Sequence, residues 1–196
     1  LSPASAARVT RADTATPSSS LNLGRRTLAL AVMVYAWAFF QNFVVPALPT
    51  LRIDLHASAS WTTWTVSAYI LVGVALMPVL SRLGDQHGKR KVMLWCLAVF
   101  ILASFLAMGA QDMTMLVIAR AIQGVALVSL PLGFAIVRDE YPAGKQGMAL
   151  GLLTGAMGVG AGTGLVISGL VLDHLSWPWL FVVADVFAAL SLALVW

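Results

Sequence analysis

Six long apolar runs, at about residues 27–49, 61–81, 92–111, 114–137, 146–172 and 177–196, limit what this 196-residue chain can fold into. The hydrocarbon of a bilayer is roughly 30 Å thick and an α-helix rises about 1.5 Å per residue, so about 20 apolar residues suffice to cross it. Each run is far longer than a strand, and only the fourth and sixth contain a charged side chain, Arg120 and Asp185. Inside lipid every backbone N–H and C=O needs a partner within the protein, and a helix supplies them within one segment. A composition of 60% hydrophobic and 10% charged residues fits no ordinary soluble domain. The expected fold is an all-α membrane protein with six transmembrane helices.

The cations orient such a bundle. With a cytoplasmic N-terminus, the inner side receives Arg8, Arg11, Arg25, Arg26, Arg82, Lys89, Arg90, Lys91, Arg138 and Lys145, and the outer side only Arg52. Ten against one is a strong positive-inside bias, which places both ends in the cytoplasm. Trp61, Trp64, Trp177 and Trp179 would then form an outer aromatic belt. The same asymmetry accounts for the net charge of +4, so no nucleic-acid partner is needed. Residues 1–26, rich in Ser, Thr, Ala and Pro ahead of the first run, read as a disordered cytoplasmic tail. The first run is too long for a signal-peptide core and is expected to be retained. The one cysteine, Cys96, permits no internal disulfide.

Between the second and third runs, "SRLGDQHGKRK" at residues 81–91 gathers Arg82, His87, Lys89, Arg90 and Lys91 around Asp85. It resembles the loop signature of the major facilitator superfamily, with Leu83, Asp85, Gly88, Lys89 and Arg90 matching and Lys91 extending the basic run. Ser81 and Gln86 stand where the family has Gly and Arg. In the fourth run Arg120, Gln123 and Gly124 match the family's Arg-x-x-Gln-Gly pattern. Arg120 and Gln123 share a helix face, and Gly124 would let another backbone approach. A charge buried in a membrane helix is costly unless it meets a partner or water, which makes Arg120 a candidate functional residue, against the plainer reading of a purely structural ion pair.

In the fifth run Gly151, Gly155, Gly158, Gly162 and Gly169 recur at three, four or seven residues, a stripe expected to serve close helix contact. The segment also resembles the motif of drug-proton antiporters, with Gly160, Gly164 and Gly169 in place, and Leu165 and Ser168 departing from its Pro and Gly. The resemblance covers about residues 27–196 and is closest to the fourteen-helix drug-proton antiporters. It implies alternating access by two six-helix bundles, each built from two three-helix inverted repeats. It also implies that Asp85, Gly88, Lys89, Arg90 and Lys91 form a cytoplasmic latch, against the plainer reading of a positive-inside anchor. Multidrug efflux across a bacterial inner membrane is the corresponding activity.

Depth along the helices yields a further expectation. At about 1.5 Å per residue, Gln41, Asn42, Arg120 and Asp185 all fall roughly 10 Å below the outer surface. They are the substrate or coupling candidates, with Gln123, and Asp185 or substrate would neutralise Arg120. The related antiporters carry an acid in the first helix where this chain has Phe40, so unless Asp185 substitutes, the proton carrier is missing from this half, and uniport or a coupling residue elsewhere stays open.

No paired carboxylates, Ser-His pair or metal-spaced His/Cys cluster lies in the runs, so neither an enzyme nor a metal or other cofactor is expected. The expected partners are the lipid bilayer, a small-molecule substrate and a second six-helix bundle, in cis or by dimerisation. A fragment of a longer transporter, a half-transporter, a truncated inactive product and a non-transporting membrane scaffold stay open.

Overall fold

A computed structural model of the protein describes residues 17–195. Helix α1 (Pro17–Asn42) leads through a 3-10 turn, Val45–Ala47, into short α2 (Leu48–Asp54). Then follow α3 (Ala59–His87), α4 (Lys89–Met108), α5 (Met113–Gln123), a 3-10 turn at Gly124–Val128, α6 (Ser129–Glu140), α7 (Ala143–His174) and α8 (Pro178–Val195). No strand occurs among the described residues.

Local chemistry sets several ends. Ser58 caps α3 by accepting from the Trp61 N–H at 3.3 Å, and Asp112 caps α5 by accepting from Met115 at 2.8 Å. Pro46 and Pro49 open the two short helical pieces that follow α1, where a missing N–H costs nothing.

Five stretches are long and apolar enough to cross a membrane: Gly24–Asp54, Ala59–His87, Lys89–Met108, Met113–Glu140 and Ala143–His174. The sixth expected span is represented by a shorter apolar helix, Pro178–Leu194. The fourth is interrupted at Gly124, where the helix tightens to 3-10 geometry before resuming at Ser129. Helix α1 begins at Pro17, so residues 17–26 of the expected tail are helical, and residues 1–16 of that tail lie outside the described residues.

The basic segment at 81–91 differs more from its expected form. It is not an open loop: α3 continues to His87, α4 begins at Lys89, and Gly88 alone turns the corner. Gly88 has φ +97°, a conformation that side chains with a Cβ rarely adopt, and its N–H closes on the Gly84 carbonyl at 3.0 Å. A single residue reverses the chain there because glycine removes the steric barrier.

Two apolar clusters fill the bundle. One is aromatic, joining Phe39, Phe40 and Phe43 of α1 to Phe100 of α4 and Phe181 of α8. The other gathers Met33 and Val34 with Met93, Leu97, Leu132 and Leu153. Helix α1 lies at the centre, packed along α7 and α8, and 61% of its spanning window is buried. Only 17% of the α3 window and 22% of the α7 window are buried, so these two helices present most of their surface outward. Of the expected tryptophan belt, Trp61, Trp64 and Trp179 are about half exposed, whereas Trp177 turns inward and meets Phe181 edge to face at 6.3 Å.

Candidate functional site

Arg120 lies on the buried stripe of α5 with Met113, Leu116 and Gln123, and only 1% of it is exposed. Its Nε donates to the Thr65 carbonyl of α3 at 3.2 Å and its Nη1 to Gln123 Oε1 at 2.9 Å. Gln123 Nε2 in turn donates to Ser104 Oγ of α4 at 2.7 Å, and that hydroxyl donates to the Phe100 carbonyl at 3.1 Å. The guanidinium carbon stands 4.5 Å from the Tyr69 ring centre and 5.7 Å from that of Phe43. Aromatic faces carry negative potential, so these rings stabilise a cation that has left water.

Close packing makes this reach possible. A Cβ on Gly124 would stand 2.5 Å from the Tyr69 carbonyl oxygen, and one on Gly73 would stand 2.7 Å from the Gly124 carbonyl oxygen. Both are closer than real Cβ contacts allow, so two glycines facing each other set the α3–α5 separation. Gly124 was legible as a contact glycine from its place in a motif; Gly73 lies in no motif and was not singled out.

The expected charge partner is not where depth along the helices put it. Among the described residues Arg120 forms no ion pair with Asp185; the ion pairs are Arg26–Glu140, Lys89–Asp85 and Lys89–Asp139. Both Asp185 carboxylate oxygens are enclosed and accept no hydrogen bond. Ser104 of α4 is a polar neighbour of that carboxylate, and its hydroxyl donates to the Phe100 carbonyl. Depth fixes height along the bundle but not azimuth, and Ser104 and Gln123 stand between the two charges. Gln41 and Asn42 also stay outside the network: Asn42 donates to its own helix at Ala38 over 2.8 Å, and Gln41 Oε1 is buried without a partner. Phe40, at the position of the antiporters' acid, stacks on Phe100 with ring centres 4.2 Å apart in the aromatic core.

At the far end of the bundle, Lys89 bonds to Asp139 of α6 and stands 3.5 Å from Asp85 of α3. Arg26 of α1 meets Glu140 at 3.4 Å, and Arg90 lies beside the same pair. The loop signature therefore ties α3, α4 and α6 together at one end, and the Arg26–Glu140 pair beside it adds α1. Asp139 and Glu140 were missed in the sequence, although they are acids on the same side as the basic segment and so its available partners. Ser104 and Thr65 were missed because a buried hydroxyl or carbonyl leaves no mark in a motif. No group of three or more His, Cys, Asp or Glu that could hold a metal occurs among the described residues.

The sequence profile of the Major Facilitator Superfamily matches residues 27–196. The chain belongs to the major facilitator superfamily. An uncharacterised superfamily-type transporter of Mycobacterium tuberculosis is 36% identical over 154 residues, covering 78% of this chain and 22% of that protein. Multidrug resistance protein 3 of Bacillus subtilis is 30% identical over 166 residues, covering 84% of this chain and 32% of that protein. The crystal structure of the human organic anion transporter MFSD10 superposes with a TM-score of 0.71 at 17% identity, over 88% of this chain and 45% of the other. The chain thus spans a third or less of these curated relatives, and the mycobacterial relative and the human structure are named as transporters.

In this superfamily member the glycine-rich helix packs by other residues than its stripe. A Cβ on Gly151, Gly155, Gly158, Gly162 or Gly169 would meet nothing within 4 Å. The contact with α1 is made by Gly160 and Gly164, whose Cβ positions are occupied by the backbone of Tyr35 and Phe39, and by Ser168, which donates to the Phe43 carbonyl. At 100° per residue, Gly158 and Gly160 point 200° apart, so the five-glycine stripe lies on the face turned away from α1.

Proposed function

We propose that residues 27–196 form one six-helix bundle of a secondary transporter, built as two three-helix inverted repeats, that exports small amphipathic molecules by alternating access. The observation that carries this reading is Arg120, a cation 1% exposed within a membrane helix and paired with no carboxylate among the described residues. Such a charge is costly in hydrocarbon and is retained where a pathway needs it. Gln123 and Ser104 belong to the same site, and Gln41, Asn42 and Asp185 face the pathway from the first and last helices.

Asp185 is the candidate proton carrier in this half. Its carboxylate is enclosed and unbonded, and Ser104 connects its surroundings to Gln123 and Arg120. The Lys89–Asp139–Asp85 cluster, with Gly88, Arg90 and Lys91, is the latch that holds one conformation. Both chain ends face the cytoplasm of a bacterium, and a second bundle, in cis or from a second copy, covers the open faces of α3 and α7 and the glycine stripe between Gly151 and Gly169.

The test is uptake of a fluorescent amphipathic cation by proteoliposomes holding the native full-length product under an imposed proton gradient. Gradient-dependent uptake in the parent, lost in Arg120→Ala with helix content retained, supports the reading. An assembled product that moves no such cation, with or without a gradient, overturns it. One observation favours a scaffold role for the polar network: Arg120, Gln123 and Ser104 are all closed to solvent. That reading predicts that Arg120→Ala changes stability and leaves transport intact.

A further inference from the structure

The basic cluster has two sides. Lys89 is engaged with Asp85 and Asp139, and Arg90 lies by Arg26 and Glu140. Lys91 takes part in no ion pair among the described residues. It stands where the charged end gives way to two apolar grooves on the outer surface of the bundle, and it lines both.

The first groove, about 460 Å³, runs between α3 and α4 past Leu80, Leu83 and Val99, with His87 beside Lys91 at its rim. The second, about 390 Å³, runs on the other side of α4 past Leu94 and Leu192. Trp95, 73% exposed and one turn from Lys91, is the ridge between them and lines both. Among the described residues no acid lines either groove. An exposed cation beside two apolar grooves separated by an indole suits one phospholipid, a headgroup with two acyl chains. The sign of the rim selects the headgroup, because a basic site at a membrane-water boundary attracts anionic lipid.

We infer that Lys91, with His87 and the two grooves astride Trp95, forms a binding site for a single anionic phospholipid. The headgroup sits on Lys91, and one chain enters the groove on each side of the indole. This requires only that the chain spans a bilayer, not that it transports.

The test follows Trp95 emission, taken as the difference between the full chain and Trp95→Phe, in phosphatidylcholine vesicles. A minor fraction of lipid brominated on its acyl chains is added, either phosphatidylglycerol or phosphatidylcholine. Quenching by brominated phosphatidylglycerol should reach half its maximum at roughly fivefold lower mole fraction, the contribution expected of one lysine near the surface. Lys91→Gln should bring the two lipids to within about twofold while leaving Trp95 emission and helix content unchanged. Val99→Phe, which fills the first groove, should lower quenching by both lipids. Equal quenching by the two lipids in the parent, an undiminished preference in Lys91→Gln, or unchanged quenching in Val99→Phe would each overturn the proposal. Because the readout is emission and not flux, its failure is separate from any failure of transport.

Discussion

Arg120 on α5 donates its Nε to the backbone carbonyl of Thr65 on α3 at 3.2 Å, so a side chain carries the link between two spanning helices. A carbonyl oxygen has two lone pairs and can serve its own helix and a neighbour together. The same guanidinium reaches Gln123 and, through it, Ser104 of α4, so three helices meet on one cation. Without a hydrophobic driving force between helices in lipid, such polar links and close packing hold the bundle.

Arg120→Ala removes the hydrogen bonds to Thr65 and Gln123 and the aromatic contacts, and leaves Gln123 facing a void. The expected cost is about 1–3 kcal/mol in detergent unfolding followed by helix ellipticity. Arg120→Lys recovers little of it, because an ammonium cannot present two donors in the fork that serves Thr65 and Gln123 at once. Full recovery by lysine would mean that charge alone matters.

The two kinds of glycine separate in the same assay. Gly124→Ala places a methyl 2.5 Å from the Tyr69 carbonyl and forces α3 from α5, at about 1–3 kcal/mol. Gly158→Ala meets nothing and replaces a poor helix former, so stability is unchanged or rises by up to about 1 kcal/mol. In a product carrying a second bundle, Gly158→Ala should instead weaken assembly, which cross-linking or sedimentation would reveal.

Asp139→Asn breaks the bond to Lys89, whose partners are largely exposed. Exposed pairs contribute about 0–1 kcal/mol, and at ~1 M salt screening removes most of that. Thermal midpoints should therefore differ slightly at low salt and coincide at high salt. A latch role adds that flux falls well beyond the stability change and returns in the exchanged pair Lys89→Asp with Asp139→Lys.

Asp185→Asn removes an enclosed carboxylate that accepts no hydrogen bond. Unpaired polar groups in hydrocarbon destabilise, so the variant should be as stable as the parent or more stable by about 1 kcal/mol. If Asp185 carries the proton, flux in the same variant loses its dependence on the pH gradient. A clear loss of stability would point to a partner that forms in another conformation.

The spanning helices and Arg120 were legible because hydropathy and isolated charge are properties of one segment. Which groups meet was less so. The glycine stripe at 151–169 has ideal spacing for helix contact, yet spacing states only that the residues share a face, not which way that face turns. Asp185 and Arg120 fall at similar depth by residue count, but Ser104 and Gln123 separate them. The corner at Gly88 looked like a loop because its charges suggested water, whereas one glycine lets both helices run to it.

By itself the sequence determined that this chain is made of long apolar helices suited to a membrane, which residues are too polar for that place, and which family it resembles. Each follows from the transfer cost of single segments or from local motifs. The tertiary structure decided that Gly73 faces Gly124, that Arg120 rests on Thr65 and two aromatic rings, that Lys89 turns to Asp139, and that Lys91 is left beside Trp95. Those choices depend on the rotation of each helix about its own axis. Rotation is set by packing among all the helices together, and no single segment contains it.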